Sequence, residues 1–299
     1  MGTRNGARQL TAPASSLQEH FFDAGELNIN YVTGPKNGRP LVLLHGLGRS
    51  WQDFALLIPE FAPRWHVYAV DLRGHGKSGH LPRGYTSAGY AGDISKLLAE
   101  VIVEPAILFG HSMGGVASMH VAAQHPALVR AAILGDNALS DDVLQRSFYR
   151  ELFLGLHKLV LTGGSVQELA RGLANIRILV PGLDHPIALG DLPGNDEPYL
   201  LKWAECLRQL DPDTLAMTLD GSTLADFDSQ ALLRKIRCPT LILQANPELG
   251  GLMTDAEVQQ AMRLLPNAKL VKFPLLGHAL HQQQPQPVIK AVNAFLEAL

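Results

Sequence analysis

The chain has 299 residues, of which 46% are hydrophobic and 18% charged, and its formal net charge is −3. This composition can bury a sizeable core as one large domain or two small ones, and it excludes the highly charged class of disordered chains. No run of five or six like charges occurs, so the sequence predicts no nucleic-acid partner and no membrane-surface partner.

Residues 1–16 are polar, lack the apolar stretch of a secretory signal, and are expected to be loose. No window approaches the 18 or so consecutive apolar residues of a membrane span, so we expect a cytoplasmic protein. The two cysteines, Cys206 and Cys238, have no metal-ligand spacing and are interpreted as small buried hydrophobes, with a single disulfide as the alternative.

Short apolar runs bounded by glycine and proline predict strands along most of the chain. Residues 21–22 and 27–33 flank a turn and predict an antiparallel hairpin. Six further strands are predicted at 41–44, 67–70, 106–109, 131–134, 240–244 and 269–273. Helical patterns such as 88–101 and 115–124 separate most of these apolar runs, which is typical of an α/β fold: a doubly wound, mostly parallel sheet of about eight strands flanked by helices.

Residues 137–229 interrupt this alternation, because they contain helical periodicity and no good strand. Apolar residues recur there at three- and four-residue steps: Val143, Leu144, Phe148, Leu152, Leu156 and Leu159. Ser165 and Asp211 begin further helices, and residues 181–198 are predicted to form a loop. We expect a helical cap at 137–229 over a core formed by 17–136 and 230–299; a second independent helical domain is the alternative.

The motif GHSMGG at 110–115 follows a predicted buried strand and precedes a predicted helix of small residues. A sharp strand-to-helix turn of this kind holds a serine in strained dihedrals, and glycine two positions to either side removes steric collisions. The pattern predicts that Ser112 is a nucleophile.

A serine hydroxyl needs an adjacent base, and the chain contains 12 histidines. His278 follows the last predicted strand on a loop at the carboxyl edge of the sheet, where Ser112 also emerges; His281 is the rival on that loop. His111 is interpreted as a packing residue, and His45 and His75 as structural, hydrogen-bonded residues.

An acid must hold the imidazole in its useful tautomer, and in this architecture it lies between the serine and the histidine in chain order. Glu248 is the first carboxylate after the penultimate strand and is the preferred candidate, with Asp136 and Asp255 as alternatives. The backbone N–H groups of Leu47 and Met113 are the expected oxyanion-hole donors.

These motifs together resemble the α/β-hydrolase superfamily. The matching pieces are LLHGLG at 43–48, DLRGHGKS at 71–78, GHSMGG at 110–115 and GH at 277–278. The resemblance is to the branch with small esterases, lactonases, cofactor-free haloperoxidases and carbon–carbon bond hydrolases. The chain departs from the superfamily pattern after the penultimate strand, where ANPE at 245–248 replaces the frequent Gly-x-x-Asp.

The resemblance implies an enzyme, a serine hydrolase that acts on a small to medium, fairly apolar ester or lactone. A carbon–carbon (diketone) hydrolase with the same triad and a ligand-sensing receptor on this fold are the alternatives. A small-molecule substrate is expected, with no metal and no organic cofactor; the oligomeric state is left open. Trp51 and Phe54 are assigned either to the pocket or to the core.

Overall fold

The computed structural model describes residues 17–142, 146–180 and 182–299. One eight-stranded sheet runs through the centre, in the order β1-β2-β4-β3-β5-β6-β9-β10. The pairs β1/β2 and β2/β4 are antiparallel and the remaining neighbours are parallel. Its strands are β1 (Gln18–Asp23), β2 (Asn28–Thr33), β3 (Pro40–Leu44), β4 (His66–Val70), β5 (Ala106–His111), β6 (Val129–Gly135), β9 (Thr240–Ala245) and β10 (Ala268–Phe273).

The apolar runs form strands because both faces of the sheet are covered. Along β3, Leu41 and Leu43 join the hydrophobic cluster on one face, whereas Val42 and Leu44 join the cluster on the other. Alternate side chains of a strand point to opposite faces, so a strand without polar residues needs a cover on each side. The predicted hairpin and the predicted doubly wound, mostly parallel sheet are therefore confirmed.

Helices fill the connections between strands. They are α1 (Ile58–Phe61), α2 (Ser87–Leu97), α3 (Met113–Gln124), α4 (Ser147–Thr162), α5 (Val166–Ala174), α6 (Glu197–Leu207), α7 (Pro212–Leu219), α8 (Ser229–Lys235), α9 (Asp255–Leu264), α10 (Leu280–Gln283) and α11 (Pro285–Leu296). The helix predicted at 88–101 is divided, since α2 ends at Leu97 and a π-helical turn, Leu98–Ile102, completes it.

The segment between β6 and β9 contains α4 to α8, in which α5 packs on α6 and α4 on α7. One expectation for this segment was wrong. Residues 177–178 and 187–188 form a two-stranded antiparallel ribbon, β7 (Arg177–Ile178) and β8 (Ile187–Ala188), inside a region expected to lack strands. Two-residue strands are too short to produce an alternating pattern. Val143, Leu144 and residues 1–16 lie outside the described residues, and the division into core and cap stays a prediction.

Local signals in this segment are confirmed at two helix starts. The Ser165 side chain accepts a hydrogen bond from the Glu168 backbone N–H, and Glu168 reciprocates in a capping box. Asp211 caps α7 with its carboxylate.

Cys206 and Cys238 are both free and half-buried, so the disulfide alternative is wrong. Among the residues described, no helix is long and apolar enough to cross a membrane.

Candidate active site

Ser112 occupies a strained turn between β5 and α3. Its φ of +53° and ψ of −119° lie in a region that side chains rarely adopt. The turn leaves no room at its flanking glycines, because a Cβ on Gly110 would lie 2.1 Å from the Gly114 carbonyl oxygen and one on Gly114 would lie 2.1 Å from the Leu44 carbonyl oxygen. The GxSxG pattern thus serves a steric need, and it leaves the half-buried serine at the edge of a cavity.

His278 is held by Asp136. The Asp136 carboxylate accepts a hydrogen bond of 2.8 Å from His278 Nδ1 and is itself fully buried. It also accepts the backbone N–H groups of Leu252 at 2.8 Å, Ala245 at 3.2 Å and Met253 at 3.4 Å. Four donors therefore surround this one carboxylate, and the tautomer with the proton on Nδ1 leaves a lone pair on His278 Nε2.

The preference for Glu248 as the acid is corrected by this geometry. Glu248 lies exposed on a 3₁₀ turn, Pro247–Leu249, and its backbone N–H is capped by the Asn246 side chain. Asp255 contacts Lys272 Nζ and Gln244 Nε2, each at 2.8 Å. The loop after β9 contacts Asp136, and Asp136 contacts His278. Asp136 follows β6, the strand that lies between β9 and the serine strand β5.

A second Asp–His pair lies behind His278. His111 Nε2 donates a hydrogen bond of 2.9 Å to the His278 carbonyl oxygen, and its ring centroid is 4.6 Å from that of His278 and 4.5 Å from that of His281. His281 Nε2 is bonded to Asp53 Oδ2 at 2.9 Å. His111 is thus more than the packing residue that was predicted, since it fixes the backbone of His278. His281, the alternative to His278 as the base, pairs with a different acid, Asp53.

The charges of this buried layer follow from its contacts. Burial lowers the pKa of His111 well below its usual value, and the neighbouring His281 and His278 act in the same direction. Burial alone would raise the pKa of Asp53, but the charge and hydrogen bond of His281, together with the charge of Arg49, lower that pKa. The ligand atoms of Asp53, His111 and His281 lie within 4.8 Å of one another. Among the described residues, these three side chains are the group that is spaced to hold a metal ion.

Two neutral histidines hold the loop that carries Leu47. This agrees with the prediction that His45 and His75 are structural, hydrogen-bonded residues. His45 Nε2 accepts the Leu72 backbone N–H at 3.0 Å, and His75 Nε2 accepts the Gly48 backbone N–H at 3.1 Å. Both imidazoles are fully buried, and burial lowers the pKa of His45 and lowers that of His75 to about 3. These bonds fix the backbone on either side of Leu47.

Ser112 stands between two small cavities. One, of about 70 Å³, is bordered by Ser112, His278, Arg49 and Asp53. The other, of about 60 Å³, has mainly apolar walls and is bordered by Leu47, Ser112, Met113, Val116, Ala138, Asp141, Phe153, Thr218, Gly221, Thr223, Leu224 and Leu252. Both predicted oxyanion donors therefore lie beside the serine. In the described part of the chain, neither the Leu47 nor the Met113 N–H donates a hydrogen bond to a loop or side-chain acceptor.

Sequence reasoning missed several residues of the site. Arg49 and Trp203 border the serine cavity from different parts of the chain, and Tyr149 packs edge-on against His278 with centroids 5.9 Å apart. Only the position of Arg49, directly after the HGLG motif, offered a signal. Phe54 belongs to the core, because it is fully buried and stacks on His281.

Similar proteins were found by sequence and by structure. A 2-(acetamidomethylene)succinate hydrolase of Mesorhizobium japonicum is 27% identical, covering 95% of this chain and 99% of that protein. A pimeloyl-[acyl-carrier protein] methyl ester esterase of Chromobacterium violaceum is 28% identical, covering 87% and 95%. The enol-lactonase of Burkholderia xenovorans superposes with a TM-score of 0.73 at 18% identity, covering 93% of this chain and 100% of that chain, and so shares the fold.

The sequence model of the alpha/beta hydrolase family matches residues 41–291, which include the strained serine turn, Asp136 and His278. With the eight-stranded sheet, this match shows that the chain belongs to the alpha/beta hydrolase family.

Proposed function

We propose that this protein is a serine hydrolase in which Ser112, His278 and Asp136 form the catalytic triad. One observation carries the proposal. The strained Ser112 and the His278 imidazole border the same 70 Å³ cavity, and the imidazole Nδ1 is hydrogen-bonded to the buried Asp136 carboxylate. A residue held in strained dihedrals persists only where the surrounding structure enforces them, and such strain clusters at functional sites.

The reaction is acyl transfer to water. Ser112 Oγ attacks the substrate carbonyl while His278 Nε2 takes the serine proton, and Asp136 stabilises the imidazolium that forms. The backbone N–H groups of Leu47 and Met113 donate to the oxyanion, each contributing about 3–4 kcal/mol of transition-state stabilisation. His278 then returns the proton to the leaving group, and water activated by the same imidazole cleaves the acyl-enzyme.

The substrate is a small to medium ester or lactone. The two cavities beside Ser112 are small, and the one bordered by Val116, Phe153 and Leu224 is mainly apolar, which suits a short hydrocarbon group. A relative of nearly the same length is named a methyl ester esterase, which supports the ester class for this chain.

Labelling with a fluorophosphonate probe tests the proposal. The wild-type protein should be labelled and Ser112→Ala should not, because the probe reacts with an activated serine hydroxyl. Ser118→Ala is the matched control: Ser118 lies in α3 but is fully buried and donates to the Gly114 carbonyl oxygen at 2.8 Å, so labelling should persist. Equal labelling of the Ser112→Ala protein would remove Ser112 from the proposed role.

A further inference from the structure

Arg49 lies beside the nucleophile in an unusual setting. It follows the loop that carries Leu47 and borders the cavity shared by Ser112 and His278. Its guanidinium carbon is 3.9 Å from the ring centroid of Trp203 and 5.0 Å from that of Tyr199, and it donates a hydrogen bond to the Tyr199 hydroxyl. Two aromatic rings of α6 therefore fix the orientation of this cation.

The guanidinium lacks a carboxylate partner. Within the described parts of the chain, no carboxylate oxygen lies within 4.0 Å of the Arg49 nitrogens, and the side chain makes its one hydrogen bond to Tyr199. Burial disfavours the charged guanidinium, but neighbouring groups, Tyr199 and Asp53 foremost, raise the pKa of Arg49. Asp53 borders the same cavity, but its Oδ2 is engaged by His281. An arginine carries five N–H donors, so most of this donor capacity is unused.

A second donor lies unused at the same place. Trp203 is 5% exposed and borders the serine cavity, and its Nε1–H has no hydrogen-bond partner among the described residues. A Cβ at Gly48 would lie 3.8 Å from this nitrogen, so the indole nitrogen lies beside the loop that carries Leu47. A buried donor without a partner is costly, and a ligand acceptor would relieve that cost.

Arg49 also separates the serine cavity from a larger one. An outer cavity of about 300 Å³ is bordered by Arg49, Asp53, Tyr199 and Lys202, and Arg49 and Asp53 border both spaces. The two sides of Ser112 thus differ in chemistry: an apolar cavity on one side and a cation with an indole donor on the other.

We propose that Arg49 and the Trp203 Nε1–H form a carboxylate-binding subsite, so that the substrate is an ester carrying a free carboxylate a few bonds from the scissile carbonyl. A planar guanidinium binds a carboxylate through paired, charge-assisted hydrogen bonds, which neutral esters cannot form. The ester part of this inference rests on the proposed function; the anion subsite itself does not need turnover.

A matched pair of substrates tests the inference. For 4-nitrophenyl hydrogen succinate and its neutral methyl ester, the wild-type enzyme should favour the acid by about tenfold or more in kcat/KM. Arg49→Gln should lower kcat/KM for the acid by about 30-fold and for the neutral ester by less than about threefold, and Arg49→Lys should recover part of the loss. Lys202→Gln, which removes a cation of the outer cavity alone, should leave the ratio within about twofold.

Equilibrium binding provides a readout independent of activity. Succinate should bind to the Ser112→Ala protein by titration calorimetry, and about tenfold or more weakly once Arg49→Gln is added. Absence of turnover with both esters would end the proposed ester hydrolysis, while Arg49-dependent succinate binding would still support the subsite. A wild-type enzyme that prefers the neutral ester, or succinate binding that is absent or unchanged by Arg49→Gln, would overturn the subsite.

Discussion

Replacing Asp136 by asparagine tests the acid assignment most directly. The carboxylate accepts from His278 Nδ1 at 2.8 Å and from three backbone N–H groups. In Asp136→Asn, an amide NH₂ facing the imidazole would move the imidazole proton to Nε2, which could then no longer accept the serine proton. Either amide orientation places the NH₂ against a backbone donor, at a cost of about 1–3 kcal/mol of stability, because Oδ2 also accepts from the Leu252 N–H and Oδ1 accepts from the Ala245 and Met253 N–H groups.

The magnitude follows from the tautomer. Loss of the correct imidazole tautomer in a triad lowers kcat by about 10⁴, or about 5 kcal/mol of activation free energy at 1.36 kcal/mol per tenfold change. Steady-state hydrolysis of a 4-nitrophenyl ester measures this loss, and a thermal melt shows that the variant is folded. Glu248→Gln is the matched control: its side chain is exposed, so kcat should change by less than about twofold. If Glu248→Gln were the inactive variant and Asp136→Asn kept most of the activity, the reasoning would be refuted.

Three further outcomes are expected. Gly114→Ala should lower the free energy of unfolding by about 1–3 kcal/mol or more in denaturant titrations, since its Cβ would meet the Leu44 carbonyl oxygen at 2.1 Å. Gly92→Ala in α2 is the control: a Cβ there meets nothing within 4 Å, so the same titration should show stabilisation by about 0.5–1 kcal/mol. Burial lowers the pKa of His75 from 6.5 to about 3, so the unfolded chain takes up the proton first. Stability is therefore lost as the pH falls from 6.5 towards 3, by up to about 1.4 kcal/mol per pH unit, and His75→Gln should flatten the stability curve; superimposable curves would contradict this. Ser165→Ala should cost about 1 kcal/mol through loss of the capping box, and an unchanged denaturation midpoint would count against it.

The sheet was predictable because its strands are buried on both faces. Runs such as 41–44 and 106–109 contain no polar residue, and residue type and length alone then distinguish a covered strand from a loop. The serine turn was predictable for a related reason, since Gly110 and Gly114 occupy positions where any side chain would collide with backbone atoms. Both signals are local in sequence.

The positions of Asp136 and Arg49 in the site have no local signal of this kind in the sequence. Whether Glu248 or Asp136 reaches His278 depends on the direction in which the chain leaves β9, and a short 3₁₀ turn with an asparagine cap directs Glu248 into solvent. The pairing of Arg49 with Trp203 joins the loop after β3 to α6, far along the chain. Residue types fix neither the path of a loop nor the packing of a helix over an edge.

The main-chain support of Asp136 has a consequence for how freely the 246–253 loop can vary. The loop contributes backbone N–H groups of Leu252 and Met253, and no side-chain acid, to the buried carboxylate. Replacements other than proline at the exposed Glu248 and Leu249 leave those donors in place, whereas proline at 252 or 253 would delete one. The surface at Glu248 and Leu249 can therefore change while the carboxylate beneath His278 stays anchored by backbone atoms that every residue except proline provides.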